Sequence, residues 1–221
     1  MAACGGAAVA WNAVTVGAMS LSRIGRHLVI VVSVLVVAGC GSSGPAAKPQ
    51  PTTAAPTPIE QLRTDSLHLV RAKFCEVIPA SAVKRAIGDV GEPTDWGTGD
   101  TFTDAQGNEH VGDEFGCRWT TDTASASAWV FAQPVDQAMV KSVIRDARTT
   151  PGCRTTRVGS FGSPTLTQRC RLDDTTSRVR HAGLIGDTWL TCEVTGPEDP
   201  TLADRSAAWC VEIAQALDTS K

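Results

Sequence analysis

The sequence predicts an α+β domain: an antiparallel sheet with helices packed on one face, stapled by disulfides. Three observations carry this. Consecutive β-rich runs late in the chain are joined by turns too short for a parallel crossover. Amphipathic helical stripes lie before, between and after the strands. Six cysteines, Cys75, Cys117, Cys153, Cys170, Cys192 and Cys210, follow an export-type amino terminus, where an even count reads as a disulfide framework. A βαβ parallel sheet is the alternative, and the consecutive late strands disfavour it.

In chain order, residues 67–70 alternate loosely and suggest a strand or an extended lead-in. Residues 79–88 read as a helix, with Pro79 in its first turn, Val83 and Ile87 four apart, and Gly88 at its end. Residues 89–113 are rich in Gly, Asp and Thr and read as strand fragments with a long exposed loop. Residues 117–121 and 127–132 look like paired strands around a turn. Residues 135–149 place Val135, Met139, Val140, Val143, Ile144 and Ala147 on one helical stripe, stopped by Pro151 and Gly152. Three further strands, 165–172, 177–184 and 187–194, are separated by turns at Asp173–Thr176 and Ile185–Gly186. Residues 201–217 form a last amphipathic helix.

The amino terminus speaks of location. Arg23, Arg26 and His27 precede an apolar run of about 11 residues ending in Val37-Ala38-Gly39-Cys40. As a helix that run would cover only ~16 Å, whereas a bilayer core of ~30 Å asks for about 20 residues. Residues 1–39 therefore read as a signal peptide rather than a membrane span. Met1 to Ala18 carries no charge, so translation is expected to begin near Met19. Cysteine directly after the cut resembles the bacterial lipobox, in which the thiol receives a diacylglyceryl group, so Cys40 is the expected lipid attachment site. Residues 40–58, with Pro45, Pro49, Pro51, Pro56 and Pro58, have little to bury and read as a tether. Extended, such a segment reaches roughly 55 Å. Residues 59–221 remain as a single extracytoplasmic domain of about 160 residues.

The net charge of −3 becomes more acidic once Arg23 and Arg26 are removed, which argues against nucleic acid as a partner. Six cysteines admit many pairings. The sequential one, Cys75–Cys117, Cys153–Cys170 and Cys192–Cys210, closes the last two as short loops and is the expectation. No cysteines form a C-x-x-C pair, and His68, His110 and His181 fall at no ligand spacing, so neither a metal nor another cofactor is expected.

No catalytic motif stands out. Gly159-Ser160-Phe161-Gly162 lacks the elbow spacing of a nucleophilic serine and reads as a turn. Asp100, Asp104, Asn108, Glu109, His110, Asp113 and Glu114 make the densest polar cluster, without the ligand spacing of a calcium loop. His110 and Glu114 could form an acid–base pair, but no nucleophile accompanies them. Trp119, Trp189 and Trp209 lie near cysteines and read as core; Trp96, on a Gly/Thr-rich stretch, is expected at a surface or cleft. Trp96, His110 and Glu114 are thus the candidate site.

Phe74-Cys75-Glu76-x-Ile78-Pro79, Glu114-Phe115-Gly116-Cys117-x-Trp119, Gly186-Asp187-x-Trp189-Leu190-x-Cys192 and Trp209-Cys210-Val211 resemble exported actinobacterial lipoproteins with a domain of unknown function. The resemblance spans about residues 67–217. It implies a lipid-anchored, disulfide-bonded α+β envelope protein, and it carries over only the cysteines and the anchor.

The expectation is a lipid-anchored protein on the extracytoplasmic face of the cell membrane, a non-catalytic module that binds or senses a small ligand or an envelope protein. The alternative is a hydrolase-like envelope enzyme with a site near His110 and Glu114.

Overall fold

The computed structural model describes residues 57–103, 109–156 and 161–220; the side chains of Phe102, Thr103 and His110 are not described. The signal peptide, Cys40, the tether up to residue 56, Asp104, Asn108, Gly159 and Ser160 lie outside the described residues.

Seven strands form one antiparallel sheet. In chain order these are β1 (Thr94–Trp96), β4 (Glu114–Thr120), β5 (Ser125–Phe131), β6 (Cys153–Thr156), β7 (Thr165–Arg171), β8 (Thr176–Ile185) and β9 (Thr188–Pro197), in the spatial order β1-β4-β5-β9-β8-β7-β6. Between β1 and β4, β2 (Thr101–Thr103) and β3 (Glu109–Val111) pair as a separate two-stranded ribbon. Three helices complete the fold: α1 (Ala80–Ile87), α2 (Gln137–Arg148) and α3 (Leu202–Ala216).

The local chemistry of these elements is plain. Gly88 ends α1 at φ +93°, a left-handed conformation that costs glycine little. Asp136 caps α2 by accepting from the Met139 N–H at 2.8 Å. In the β7–β8 turn, Asp173 Oδ1 accepts from the backbone N–H groups of Thr175 and Thr176, both at 2.8 Å.

Strand alternation gives the sheet two different faces. On the first, Leu190, Cys192 and Val194 of β9 join Ala126, Ala128 and Val130 of β5 and Val179 of β8. There they pack against α3 through Leu202, Trp209, Val211 and Ile213, and against α1 through Ala82, Val83 and Ala86. Each such fully buried large apolar side chain contributes roughly 1.5–3 kcal/mol. Trp119 and Trp209 meet edge to face, centroids 5.4 Å apart. The Trp209 indole N–H donates to the Ser127 carbonyl at 3.0 Å, so the ring is buried without stranding its donor.

The second face carries a smaller cluster in which Val135, Val140 and Ile144, on and just before α2, pack with Leu166, Ala182, Leu184 and Trp189. The helices are therefore divided between the faces rather than gathered on one. The reason lies in β9, where Trp189 and Leu190 point oppositely and each needs an apolar cover.

All three disulfides follow the sequential pairing. Cys75–Cys117 ties the 3-10 turn Cys75–Val77 to β4, and Cys192–Cys210 ties α3 to β9. Cys153–Cys170 joins directly opposed residues of β6 and β7. Residues 67–70 do not join the sheet. Leu69 makes a single bridge with Asp218, and the Val70 N–H donates to the Leu217 carbonyl at 3.0 Å, so this lead-in pairs with the end of the chain. Strand β6, absent from the sequence expectation, is mostly Thr and Arg.

Cys192 and Cys210 are both fully buried and close a loop of sequence separation 18. Replacing both by alanine should lower the unfolding free energy by about 3 kcal/mol, measured by urea denaturation.

His181 sits on the first face opposite Cys192, 7 % exposed. Its Nδ1 lies 3.1 Å from Thr167 Oγ1, and its Nε2 is buried with no hydrogen-bond partner among the described residues. Burial pushes its pKa down to about 4, against a weak opposing pull from Glu60. The folded protein thus holds neutral imidazole while the unfolded chain takes up protons below about pH 6.5. Stability should fall by about 3 kcal/mol as pH drops from 6.5 to 4. His181→Leu should flatten that part of the stability–pH curve.

Candidate functional site

The second face is only partly covered by α2, and beyond that helix it opens into a cleft of about 490 Å³ lined by Thr94, Trp96, Asp100, Thr101, Glu114 and Arg118. Edge strand β1 brings Trp96 opposite Gly116 of β4. A Cβ at Gly116 would stand 2.1 Å from Trp96 Cζ2, so the indole fills the space that a side chain would need. Held there, Trp96 donates its Nε1–H to Glu114 Oε1 at 3.0 Å. Glu114 and Gly116 are two apart on one strand and share the face.

The opposite wall is fixed by the backbone. Asp100 Oδ2 accepts from the Gly97 N–H at 2.6 Å, and the Asp100 carbonyl accepts from the Gly112 N–H at 2.8 Å. These bonds hold the ends of the β2–β3 ribbon beside the sheet.

Burial raises the Glu114 pKa above the ordinary value; the Trp96 hydrogen bond and the Arg180 charge oppose that shift. The site therefore offers an indole face, a carboxyl held toward its neutral form, and the Arg118 guanidinium. Stacking, hydrogen bonding and charge recognition are what such groups do. A larger cleft of about 610 Å³ lies beside α1 and the Cys75–Cys117 disulfide. Two of its charged groups, Lys84 and Asp89, satisfy each other at 2.8 Å, and its indole, Trp119, is 4 % exposed and packed in the core.

Of the three sequence candidates, the structure brings Trp96 and Glu114 into contact. His110 lies on β3 opposite Phe102, and its side chain lies outside the described residues. Gly116 and Arg118 were not anticipated. A glycine in a strand interior is itself a mark of close approach, and Gly116 was the signal that could have located the indole. Arg118 offered no such signal. Among the described residues, no three His, Cys, Asp or Glu side chains gather as a metal would require, and no helix is long and apolar enough to cross a membrane.

A carboxyl with a raised folded-state pKa favours folding most when protonated, and that advantage is lost as pH rises through the folded value. Glu114→Gln, which keeps an acceptor for Trp96, should therefore be more stable than the parent at pH 7. Thermal unfolding should show the difference disappearing below about pH 4.5.

No protein-family model matches this chain, and no curated protein is significantly similar to it.

Proposed function

We propose that this chain is a membrane-anchored extracytoplasmic lipoprotein, akin to exported actinobacterial lipoproteins. Its domain is a non-catalytic binding module of the cell envelope that takes a small ligand or an envelope partner. The observation that carries the binding reading is the Trp96–Glu114 pair, set in an open cleft beside Arg118. The indole is fixed at both its ring and its donor, so little side-chain entropy is lost when a ligand stacks on it. The anchor rests on the Val37-Ala38-Gly39-Cys40 motif, and three disulfides accord with an oxidising compartment.

One observation favours the second reading, an envelope hydrolase. A carboxyl with a raised pKa suits a general acid, and Glu114 is such a group.

Two measurements test the proposal. Radiolabelled palmitate should enter the full-length protein, and Cys40→Ala should abolish both labelling and membrane retention; label persisting in that variant would refute the anchor. An envelope extract should quench tryptophan fluorescence saturably. Gly116→Val, which displaces Trp96 without altering charge, should weaken that binding about 10-fold. Turnover of envelope ester, peptide or glycan substrates that vanishes in Glu114→Gln would replace binding with catalysis.

A further inference from the structure

Strand register gathers three arginines on the face that carries Trp96 and Glu114. Arg118 lies opposite Ser127, Ser127 opposite Glu193, and Glu193 opposite Arg180, making one row across β4, β5, β9 and β8. Arg178, two residues from Arg180 on β8, points to the same side. Glu193 is 6 % exposed and accepts from Arg180 Nε at 2.9 Å, with Arg180 Nη2 at 2.8 Å from the same oxygen. Arg178 Nε stands 3.6 Å from that oxygen. The Arg180 guanidinium lies 5.2 Å from the ring centre of Trp129, and Arg118 Nε donates to Ser127 Oγ at 3.1 Å.

The charges in this row do not balance. One carboxylate, Glu193, stands among three guanidiniums, and nearby Glu114 is held toward its neutral form. Arg180 bonds Glu193 most closely, two of its nitrogens converging on one oxygen, Oε2. Arg178 is half-buried, and its Nε is buried with no hydrogen-bond partner among the described residues. Burial, with the charges of Arg180 and Arg118, lowers its pKa, against the pull of Glu193. Keeping such surplus positive charge half-buried costs stability that a bound anion would offset. The surplus matches a phosphate group, which carries about −1.5 to −2 charges as a monoester near neutral pH and a single negative charge as the diester of a phospholipid headgroup.

We propose that Arg118, Arg178 and Arg180 form a receptor for the phosphate group of a small ligand, the rest of which lies along Trp129 and Trp96. This rests on the binding reading above and names the ligand class of the same face. Guanidinium forks match phosphate oxygens in pairs, and the indoles supply a stacking or apolar surface. Glu193 is a positioning residue, orienting Arg180 and Arg178 without touching the ligand. The phosphate belongs to a soluble ester or to a phospholipid headgroup, and the two sources are separable by experiment.

The full-length protein is placed in phosphatidylcholine nanodiscs and titrated with glycerol phosphate, with tryptophan fluorescence as the readout; a second set of discs contains phosphatidylglycerol. A saturable change is expected. Arg118→Gln, an exposed position that does not hold Glu193, should weaken it about 10-fold or more. Arg180→Gln combined with Glu193→Gln removes that ion pair while taking away one positive and one negative charge together, and should have at least as large an effect. If phosphatidylglycerol discs alone produce the Arg118-dependent change and glycerol phosphate no longer titrates, the headgroup is the source. Equal titration in both discs assigns a soluble ester. No Arg118-dependent change in either disc overturns the phosphate receptor. Saturable quenching by an envelope extract under the same conditions would then leave the broader binding reading standing; its absence would remove both.

Discussion

Strand β9 must satisfy two environments at once, and the rest of the domain is arranged around that demand. Leu190, Cys192 and Val194 point to one side and are fully buried. Trp189, Thr191 and Glu193 point to the other and are almost as inaccessible. A strand buried on both faces needs cover on both. On the first side α3 provides it, held by the Cys192–Cys210 bond and by Ser206 Oγ donating to the Val179 carbonyl at 2.9 Å. On the second side α2 covers only the end near Trp189. The remainder is covered by polar side chains lying over one another, such as Arg180 over Trp129 and Trp96 over Gly116.

That difference explains why the polar groups lie where they do. A helix packed on the whole second face would have demanded apolar residues at positions 118, 127, 178, 180 and 193. Their polarity keeps the face open, and four of the five satisfy one another, Ser127 with Arg118 and Glu193 with Arg180, while Arg178 Nε is left without a hydrogen bond among the described residues. The site is the part of the sheet that packing left unfinished.

Much of this architecture was legible from local pattern. All three helices were marked by apolar spacing, and the first two also by residues that open or stop them. Most hairpins were marked by turn residues, and the sequential cysteine pairing, chosen among many because it closes two of the bridges as short loops, is the one the structure has. What local pattern could not reveal was the face to which a helix goes. The apolar stripe of α2 would serve either side of a sheet, and only the register of Leu166, Ala182, Leu184 and Trp189 decides it. Strand β6 was hidden because Arg154, Thr155 and Thr156 carry no apolar alternation. Trp96 and Glu114 were each visible as unusual residues. Their contact depended on an antiparallel pairing that no window of sequence contains; Gly116 is visible in the sequence, but not the indole that fills the space it leaves. The arginine row is more dispersed still, its members coming from four strands, β4, β5, β9 and β8.

The way the chain enters the domain has a mechanical consequence. Ile59 and Leu62 are buried in the cluster that α3 covers, on the side of the sheet away from the cleft. Tension applied from the amino-terminal side would peel the lead-in first, breaking the short pairing of residues 69–70 with the chain's end. At Cys75 the peeling meets a covalent stop, and the load passes directly to Cys117 in β4. The intervening segment, 42 positions in sequence and including α1, β1 and the β2–β3 ribbon, is bypassed by the force. Trp96 thus sits within a shielded loop, and the cleft can keep its shape while the polypeptide that leads to it is under strain.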